Sequence, residues 1–251
     1  MLPNTELFFA SLTCVILCLI IYEYKPRLSI ALLVLGSFFI GLFAALLDPY
    51  LNLWDEQYHA LVAKNLSTNF FKPTLYQQPL LSYDYQNWIG NHIWLHKQPF
   101  FLWLMAISIK IFGNSEIAVR VPSIILHALL PLLVFKLGKN VSNAKIGMYG
   151  ACLIATSYYI NELVCGKFST DHNDLAFLVF VTGSFWALTE YEMTRSKKWL
   201  VAIGLFAGIS VLVKWLMGLL AIFLWFGWKL VKAAITKQFS HQTFDPGLAP
   251  Y

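Results

Sequence analysis

The chain has 251 residues, of which 58% are hydrophobic and only 12% are charged, and its mean hydropathy is +0.62. Soluble domains carry about 25% charged residues. The low charge and repeated long apolar runs therefore exclude an ordinary soluble domain and predict an all-α integral membrane protein. The net charge of +5 is modest, and the basic residues lie in short turns between apolar runs. That placement indicates membrane orientation rather than nucleic-acid binding.

The apolar runs predict one transmembrane domain over residues 1–232. Two runs, at 5–22 and 28–47, flank a basic turn, and a long polar loop then begins at residue 48. A short apolar piece at 99–112 ends this loop region, which we take as 48–115. The remaining runs lie at 117–137, 146–160, 175–188, 199–213 and 216–231, and residues 233–251 form a polar tail.

Charge in the turns predicts the topology. Basic turns are retained on the inner side of a membrane, so the turn with Lys25 and Arg27, and the one with Lys139 and Lys145, should both lie inside. That requires a single crossing between residues 99 and 137. The piece at 99–112 is then an interfacial helix, and the chain has about seven spans with its amino terminus outside. The loop at 54–99, the turn at 161–174 and Lys214 all fall on the outer face.

Asp55 and Glu56 are the first candidates for chemistry. They follow Trp54, and the residues after them predict a helix with Asp55 in its first turn, where the helix dipole favours a carboxylate. A carboxylate at an apolar edge can have a raised pKa and serve as a general base. The alternative is a charge at a helix start that water or lipid headgroups solvate.

A metal site and a phosphate site are both conceivable near the end of the loop. His92 and His96 have i, i+4 spacing, which on a helix would place both imidazoles on one face as ligands for a divalent metal, or simply as interfacial polar groups. Lys97 could hold a phosphate as a point charge. Its alternative is a lysine that extends to the membrane surface.

The other outer segments supply further ionisable residues. Asp171 and Asp174 flank His172 just before an apolar run, and ionisable residues near membrane depth are functional candidates. Lys214 lies between two apolar runs, so it either extends to the surface or lines a polar cavity. Aromatic residues of the loop could stack on a sugar or form an interfacial belt.

Four segments resemble the GT-C membrane glycosyltransferases, in the branch of the protein O-mannosyltransferases and the lipid A aminoarabinose transferases. They span about residues 28–230 and read WDEQY at 54–58, KQPFFLWL at 97–104, FGNSEIAVRVPS at 112–123 and LVKW at 212–215. The third is the most specific. The resemblance implies a GT-C-like helical membrane fold and an inverting transfer of a sugar from a polyprenyl-phosphate donor to an acceptor.

The resemblance also implies roles for particular residues. Asp55 matches the catalytic carboxylate, with Glu56 beside it in the same motif, and Asp171 matches the second acidic position, for which Asp174 is the other choice. Lys97 and Lys214 match lysines that face the donor phosphate. Tyr58 of the first motif joins Asp174 and the two lysines as a predicted substrate-binding residue.

The expected partners are membrane lipids, the lipid-linked donor and a lipid A, glycan or protein acceptor, without nucleic acid. No cofactor is required, although a divalent metal is possible. The expected location is a bacterial inner membrane, with the site on the periplasmic or outer face.

The chain also departs from the family pattern. The family has Glu, Pro and Gly where this chain has His96, Gln98 and Trp215. Family members are about twice as long, so the carboxyl-terminal half of their architecture is expected to be absent. Two other functions stay open: a transporter of small solutes that uses the buried ionisable residues as a path, and a non-catalytic fragment or membrane scaffold.

Overall fold

A computed structural model describes residues 3–167 and 171–242, and this part of the chain is helical without strands. In order, its helices are α1 (Thr5–Ile21), α2 (Pro26–Leu47), α3 (Asp55–Thr68), α4 (Phe100–Phe112), α5 (Glu116–Val141), α6 (Ala144–Ala155), α7 (Tyr158–Cys165), α8 (His172–Thr194), α9 (Lys197–Lys214) and α10 (Leu220–Gln242). Short 3₁₀ turns occupy Trp88–Gly90 and Trp215–Leu219. The predicted all-α membrane fold is confirmed.

Three helical segments of the described chain are long and apolar enough to cross a membrane. They are Pro26–Leu47, Glu116–Val141 and the continuous stretch Lys197–Thr236, while α1, α4 and α6 are apolar but shorter. A comfortable crossing takes about 20 apolar residues. The number of seven spans therefore stays a prediction.

The helices pack around α5, which contacts α2, α4, α6, α7 and α8. Small residues allow the closest approach. A Cβ on Gly147 would lie 2.5 Å from the carbonyl oxygen of Phe135, and one on Gly138 would lie 2.7 Å from the Cα of Gly147. Helix pairs in membranes use small residues in this way. The hydrophobic effect does not drive helices together within lipid, so close contact between backbones supplies the attraction instead.

Three sequence boundaries differ from the prediction. The run at 146–160 is not one helix, because the chain turns at Thr156 and starts again as α7. The predicted polar turn at 161–174 contains the second half of α7, and its residues 168–170 lie outside the described residues. The predicted tail continues α10 as far as Gln242. The rest of the tail, 243–251, also lies outside the described part.

Helix α4 remains at one end of the bundle. Its amino terminus follows Lys97, whose ammonium contacts Asp171 at the start of α8, and its last turns adjoin the start of α5 through a 2.6 Å bond from Ser108 Oγ to the carbonyl of Ala118. Both ends of α4 are thus near the starts of α5 and α8. This geometry favours a helix that does not cross, and the interfacial placement itself stays a prediction.

Contacts at the opposite end of the bundle join the basic turns to one another. Lys145 pairs with Glu23 of the α1–α2 turn at 2.9 Å, and Asn140 near the end of α5 donates to Glu190 of α8 at 3.0 Å. Lys229 of α10 pairs with Glu192 near the α8–α9 turn. The turns predicted to lie inside therefore share one end.

Labelling from the two sides of the membrane tests this arrangement. In a variant without the four native cysteines, we expect Tyr85→Cys in the loop and Lys197→Cys at the start of α9 to react with a membrane-impermeant maleimide from opposite sides. Both positions are exposed, and the outer position should react in intact cells. Reaction of both from the same side would contradict the two-ended bundle.

Candidate active site

A buried ion pair between Glu56 and Arg120 lies at the end of the bundle where α3, α5 and α8 begin. Arg120 Nε donates to Glu56 Oε1 at 2.7 Å, and Nη2 donates to Oε2 at 3.0 Å. Nη2 also donates to the carbonyl of Tyr50 at 2.8 Å, and Nη1 donates to those of Ala45 and Asp48. All five N–H groups of the guanidinium are therefore used, and Arg120 is fully buried.

Glu56 receives further hydrogen bonds besides those from Arg120. The backbone N–H of Asn52 donates to Oε2 at 2.6 Å, and His172 Nε2 lies 3.2 Å from Oε1. Burial opposes the charge of Glu56, but the bonds from His172 and Arg120 more than offset it and lower the pKa of its carboxyl to about 2. Glu56 is an ionised carboxylate with no face open to a substrate.

His172 extends this network into α5. A carboxylate only accepts, so His172 Nε2 donates to Glu56, and Nδ1 is then available to accept from the hydroxyl of Ser123 at 2.8 Å. The imidazole also stacks on Phe101. The first turn of α8 is thereby fixed against α3, α4 and α5.

Asp171 caps the amino terminus of α8 and pairs with Lys97. Its Oδ1 accepts from the backbone N–H of Asn173 at 2.9 Å, and its Oδ2 accepts from Lys97 Nζ at 2.9 Å. Burial opposes its charge, but His59, Lys97 and the Asn173 N–H together lower the pKa of its carboxyl to about 2. For Lys97, burial opposes the charge, yet Asp171 and Asp55 raise the pKa of the ammonium.

Asp55 differs from its neighbours because the described part of the chain donates no hydrogen bond to its carboxylate. It starts α3 on the same face as His59, and its side chain is half-buried. Burial, and then the charge of Asp171, raise the pKa of its carboxyl, while Lys97 and His96 act in the opposite direction. Asp55 thus combines access with increased basicity.

Asp174 and Lys214 form a second acid–base pair at the same end. Lys214 is the last residue of α9, and its ammonium contacts Asp174 in the first turn of α8. The Lys214 side chain is 48% exposed and that of Lys97 is 27% exposed. Both lysines are paired, and each keeps N–H groups that its ion pair does not use, since an ammonium has three donors.

The predicted residues of the loop are placed differently. Tyr58 packs among Trp54, Trp88 and Trp94, with ring centroids 5.1–6.3 Å apart. This aromatic cluster borders the face of α3 that carries Asp55.

The helical spacing expected for His92 and His96 is absent, because residues 91–99 are not helical. His92 Nε2 lies 3.1 Å from the carbonyl of Leu81, and His96 stacks on Trp88 with centroids 4.5 Å apart. The shared helix face on which their metal role depended does not exist. The three-residue set of potential ligands that the described chain brings together is instead Asp55, His59 and Asp171.

An apolar groove of about 730 Å³ lies between α1, α2 and α7. Asp48 and Cys165 line its polar end. The carbonyl of Asp48 accepts from Arg120, and that of Cys165 accepts from Asn52. The groove therefore lies next to the buried Glu56–Arg120 pair, and Asp55 does not line it.

The structure brings together most of the residues predicted for the site, and it adds three. Asp55, Glu56, Lys97, Asp171, Asp174 and Lys214 gather at one end. Lys97 pairs with Asp171 and Lys214 pairs with Asp174, while Glu56 contacts His172 and Asp55 lies within 4.8 Å of Asp171. Sequence reasoning gave no site role to Arg120 or His59, and it named His172 only as part of the ionisable group that Asp171 and Asp174 flank. The sequence contained a signal for Arg120 and for His59. A lone arginine one turn inside an apolar run needs a partner. His59 follows Asp55 by four residues, the spacing that places both on one face of a helix.

Comparison with known proteins gives the family. The fold and the site define a helical membrane protein with an acid–lysine cluster at one end. The model of the dolichyl-phosphate-mannose-protein mannosyltransferase family matches residues 96–242, more than half of the chain, and the chain belongs to this family. The family consists of GT-C glycosyltransferases that use lipid-linked donors. Comparisons with curated proteins and with solved structures give no match.

Replacement of Arg120 tests the buried pair. Arg120→Met leaves the Glu56 carboxylate buried and unpaired, so we expect it to lower the free energy of unfolding in mixed micelles by about 3–5 kcal/mol. Arg195→Met is the matched control. It removes an exposed partner of Glu192, and such pairs contribute about 1 kcal/mol or less.

The double variant Glu56→Gln/Arg120→Met should recover part of the loss, because no buried charge then lacks a partner. Equal stability of Arg120→Met and Arg195→Met would contradict a central role for the pair.

Proposed function

We propose that this chain transfers a sugar from a polyprenyl-phosphate donor to an acceptor at the outer face of the membrane, with Asp55 as the residue that activates the acceptor. The observation that carries the proposal is the state of Asp55. It is half-buried, it receives no hydrogen bond from the described chain, and its pKa is raised. A general base needs access and basicity together.

The two lysines supply the complementary half of the reaction. When the bond from the sugar to the phosphate breaks, negative charge grows on the leaving phosphate, and nearby ammonium groups stabilise it. Lys97 and Lys214 are held in place by Asp171 and Asp174 and remain partly exposed. We therefore assign the lysines to the donor phosphate and the two aspartates to positioning them.

Glu56 takes a different role from the one that its motif implies. Its side chain is fully buried, and Arg120, His172 and Asn52 occupy its oxygens. We propose that Glu56 positions α3, and with it Asp55, rather than contacting a substrate. Tyr58 is proposed to border the sugar through the aromatic cluster it shares with Trp88 and Trp94.

Family membership favours a transferase over the transporter, because the matched family acts on lipid-linked sugars. The proposed donor is consistent with the name of the family, in which the sugar is mannose on dolichyl phosphate. The acceptor is proposed to be a protein, glycan or lipid reached from the outer side. A bacterial inner membrane with the site on its periplasmic face is the proposed location, which the grouping of basic turns at the opposite end supports.

An Asp55→Asn variant tests the assignment. In proteoliposomes that contain the full chain, a polyprenyl-phosphate mannose donor and a panel of peptide and glycolipid acceptors, we expect transfer to fall by about 10²–10⁴-fold, since the amide cannot accept a proton. Radiolabel transferred to acceptor is the measurement. The matched control is Asp84→Asn, an exposed loop carboxylate that bonds only the backbone N–H of Gln86 among described groups.

Because Asp55 is half-buried and no described group donates a hydrogen bond to its carboxylate, the variant should keep the helical content and elution volume of the parent. Transfer retained by Asp55→Asn at the level of Asp84→Asn would refute its role. Transfer lost equally in both variants would show that the loss does not come from the proposed base.

A further inference from the structure

The apolar groove between α1, α2 and α7 has the dimensions of a site for a lipid chain. On α2 its lining residues follow helical spacing, namely Ile40, Phe43, Ala44 and Leu47. At 1.5 Å per residue this wall is about 10 Å long, against about 15 Å for half of the hydrocarbon core of a bilayer. The volume of about 730 Å³ is also in the range of roughly 300–1,000 Å³ that ligand pockets have. One acyl chain from a single leaflet therefore fits the groove.

The groove ends at a group of polar side chains. Asp48, Asn161, Glu162 and Lys167 line this end, and Lys167 pairs with Glu162 at 3.2 Å. Two carboxylates and one ammonium give these four residues one negative charge in excess. Anionic lipids are recognised by clusters of lysine and arginine, so this end favours a lipid headgroup that carries a positive charge.

Asp48 is the carboxylate of this group that lacks an ion pair within the described part of the chain. It directly follows α2, where the negative end of the helix dipole disfavours a carboxylate. Among the described residues its Oδ1 accepts only from the backbone N–H of Tyr50, at 3.4 Å. Arg120 contacts the carbonyl of Asp48 rather than its carboxylate. A cation from a ligand would therefore find a favourable partner in Asp48.

Asn161 adds a second hydrogen-bond acceptor at the same end. Its amide nitrogen donates to the carbonyl of Ser157 at 2.9 Å, whereas its amide oxygen is buried and receives no hydrogen bond from residues 3–167 or 171–242. A buried acceptor without a donor costs free energy, so buried polar atoms are normally bonded. Asp48 and Asn161 together favour a primary ammonium, which has three N–H donors, over a quaternary ammonium, which has none.

We propose that this groove binds a phospholipid with a primary ammonium headgroup, such as phosphatidylethanolamine. One acyl chain lies in the groove, the ammonium pairs with Asp48, and the phosphate lies toward Lys167. In this orientation each charge of the headgroup meets an opposite charge of the protein. The site is separate from the proposed catalytic residues, because neither Asp55 nor the two lysines assigned to the donor phosphate line the groove.

A lipid in this groove would also support the buried Glu56–Arg120 pair. The carbonyl of Asp48 accepts from Arg120, and the carbonyl of Cys165 accepts from Asn52, whose backbone N–H donates to Glu56. Asp48 and Cys165 both line the groove, so an occupant holds the backbone to which the pair is bonded. Since a ligand that binds only the folded state stabilises it, we expect the bound lipid to raise the unfolding temperature.

Lipid binding by the full chain in detergent micelles tests the site. The delipidated chain is titrated with phosphatidylethanolamine, phosphatidylcholine and phosphatidylglycerol of identical acyl chains, and bound lipid is counted by native mass spectrometry. We expect one phosphatidylethanolamine per chain, bound about tenfold more tightly than the other two, because only its headgroup donates a charged hydrogen bond to Asp48. Soluble glycerophosphoethanolamine, which lacks the acyl chains, should not displace it.

Two variants with matched controls locate the lipid. Asp48→Asn should bind phosphatidylethanolamine no more tightly than phosphatidylcholine, whereas Asp84→Asn in the exposed loop should keep the tenfold preference. Leu12→Trp enlarges a side chain that lines the groove and should weaken binding of all three lipids. Leu205→Trp makes the same change at an exposed position of α9 and should leave binding unchanged.

Equal binding of the three lipids, or tighter binding of phosphatidylglycerol, would overturn the proposal. A preference for phosphatidylethanolamine that survives Asp48→Asn would overturn the headgroup contact, and binding by Leu12→Trp as tight as by Leu205→Trp would overturn the groove as its place. The two variants change different residues, so one test remains if the other variant fails to fold. Neither sugar donor nor acceptor is present, so failure of the transfer assay leaves this result intact.

Discussion

The buried pair between Glu56 and Arg120 holds the polar end of this protein together. Arg120 belongs to α5, Glu56 belongs to α3, and the three carbonyls that Arg120 also binds belong to the end of α2 and the loop after it. Removing two charges from water costs several kcal/mol each, which only a complete set of hydrogen bonds offsets. Because this set is complete, the pair fixes where α3 begins, and the position of Asp55 follows from it.

A second layer of ion pairs lies around this centre, nearer to the surface. Asp171 holds Lys97 of the loop, and Asp174 holds Lys214 of α9, so the first turn of α8 joins two segments that are far apart in sequence. The inner pair is closed to substrate and structural, whereas the outer pairs are partly exposed. The buried charges of the inner pair therefore lie beneath the site, and the partly exposed charges of the outer pairs lie at its surface. This arrangement is suited to a reaction that generates a phosphate anion.

The sequence predicted the class of fold, the helix that starts at Asp55, and the meeting of three distant segments at one end. The fold class and the shared end could be predicted because the membrane determines both the length of the apolar runs and the side on which basic turns lie. It did not predict the role of Arg120, which entered only as one residue of the motif at 112–123. The i, i+4 argument was applied to His92 and His96, where the chain is not helical, rather than to Asp55 and His59, where it is. The break at Thr156 was missed because a single turn leaves average hydropathy almost unchanged.

The balance of charges at the end of the bundle that carries Asp55 affects which ligands can bind there. Four carboxylates, Asp55, Glu56, Asp171 and Asp174, face three permanent cations, Arg120, Lys97 and Lys214, so the described cluster has one negative charge in excess when its histidines are neutral. An anionic lipid arriving alone would increase that excess. A positive charge taken up together with such a lipid would offset this increase, and in that case each would raise the affinity for the other by the same factor.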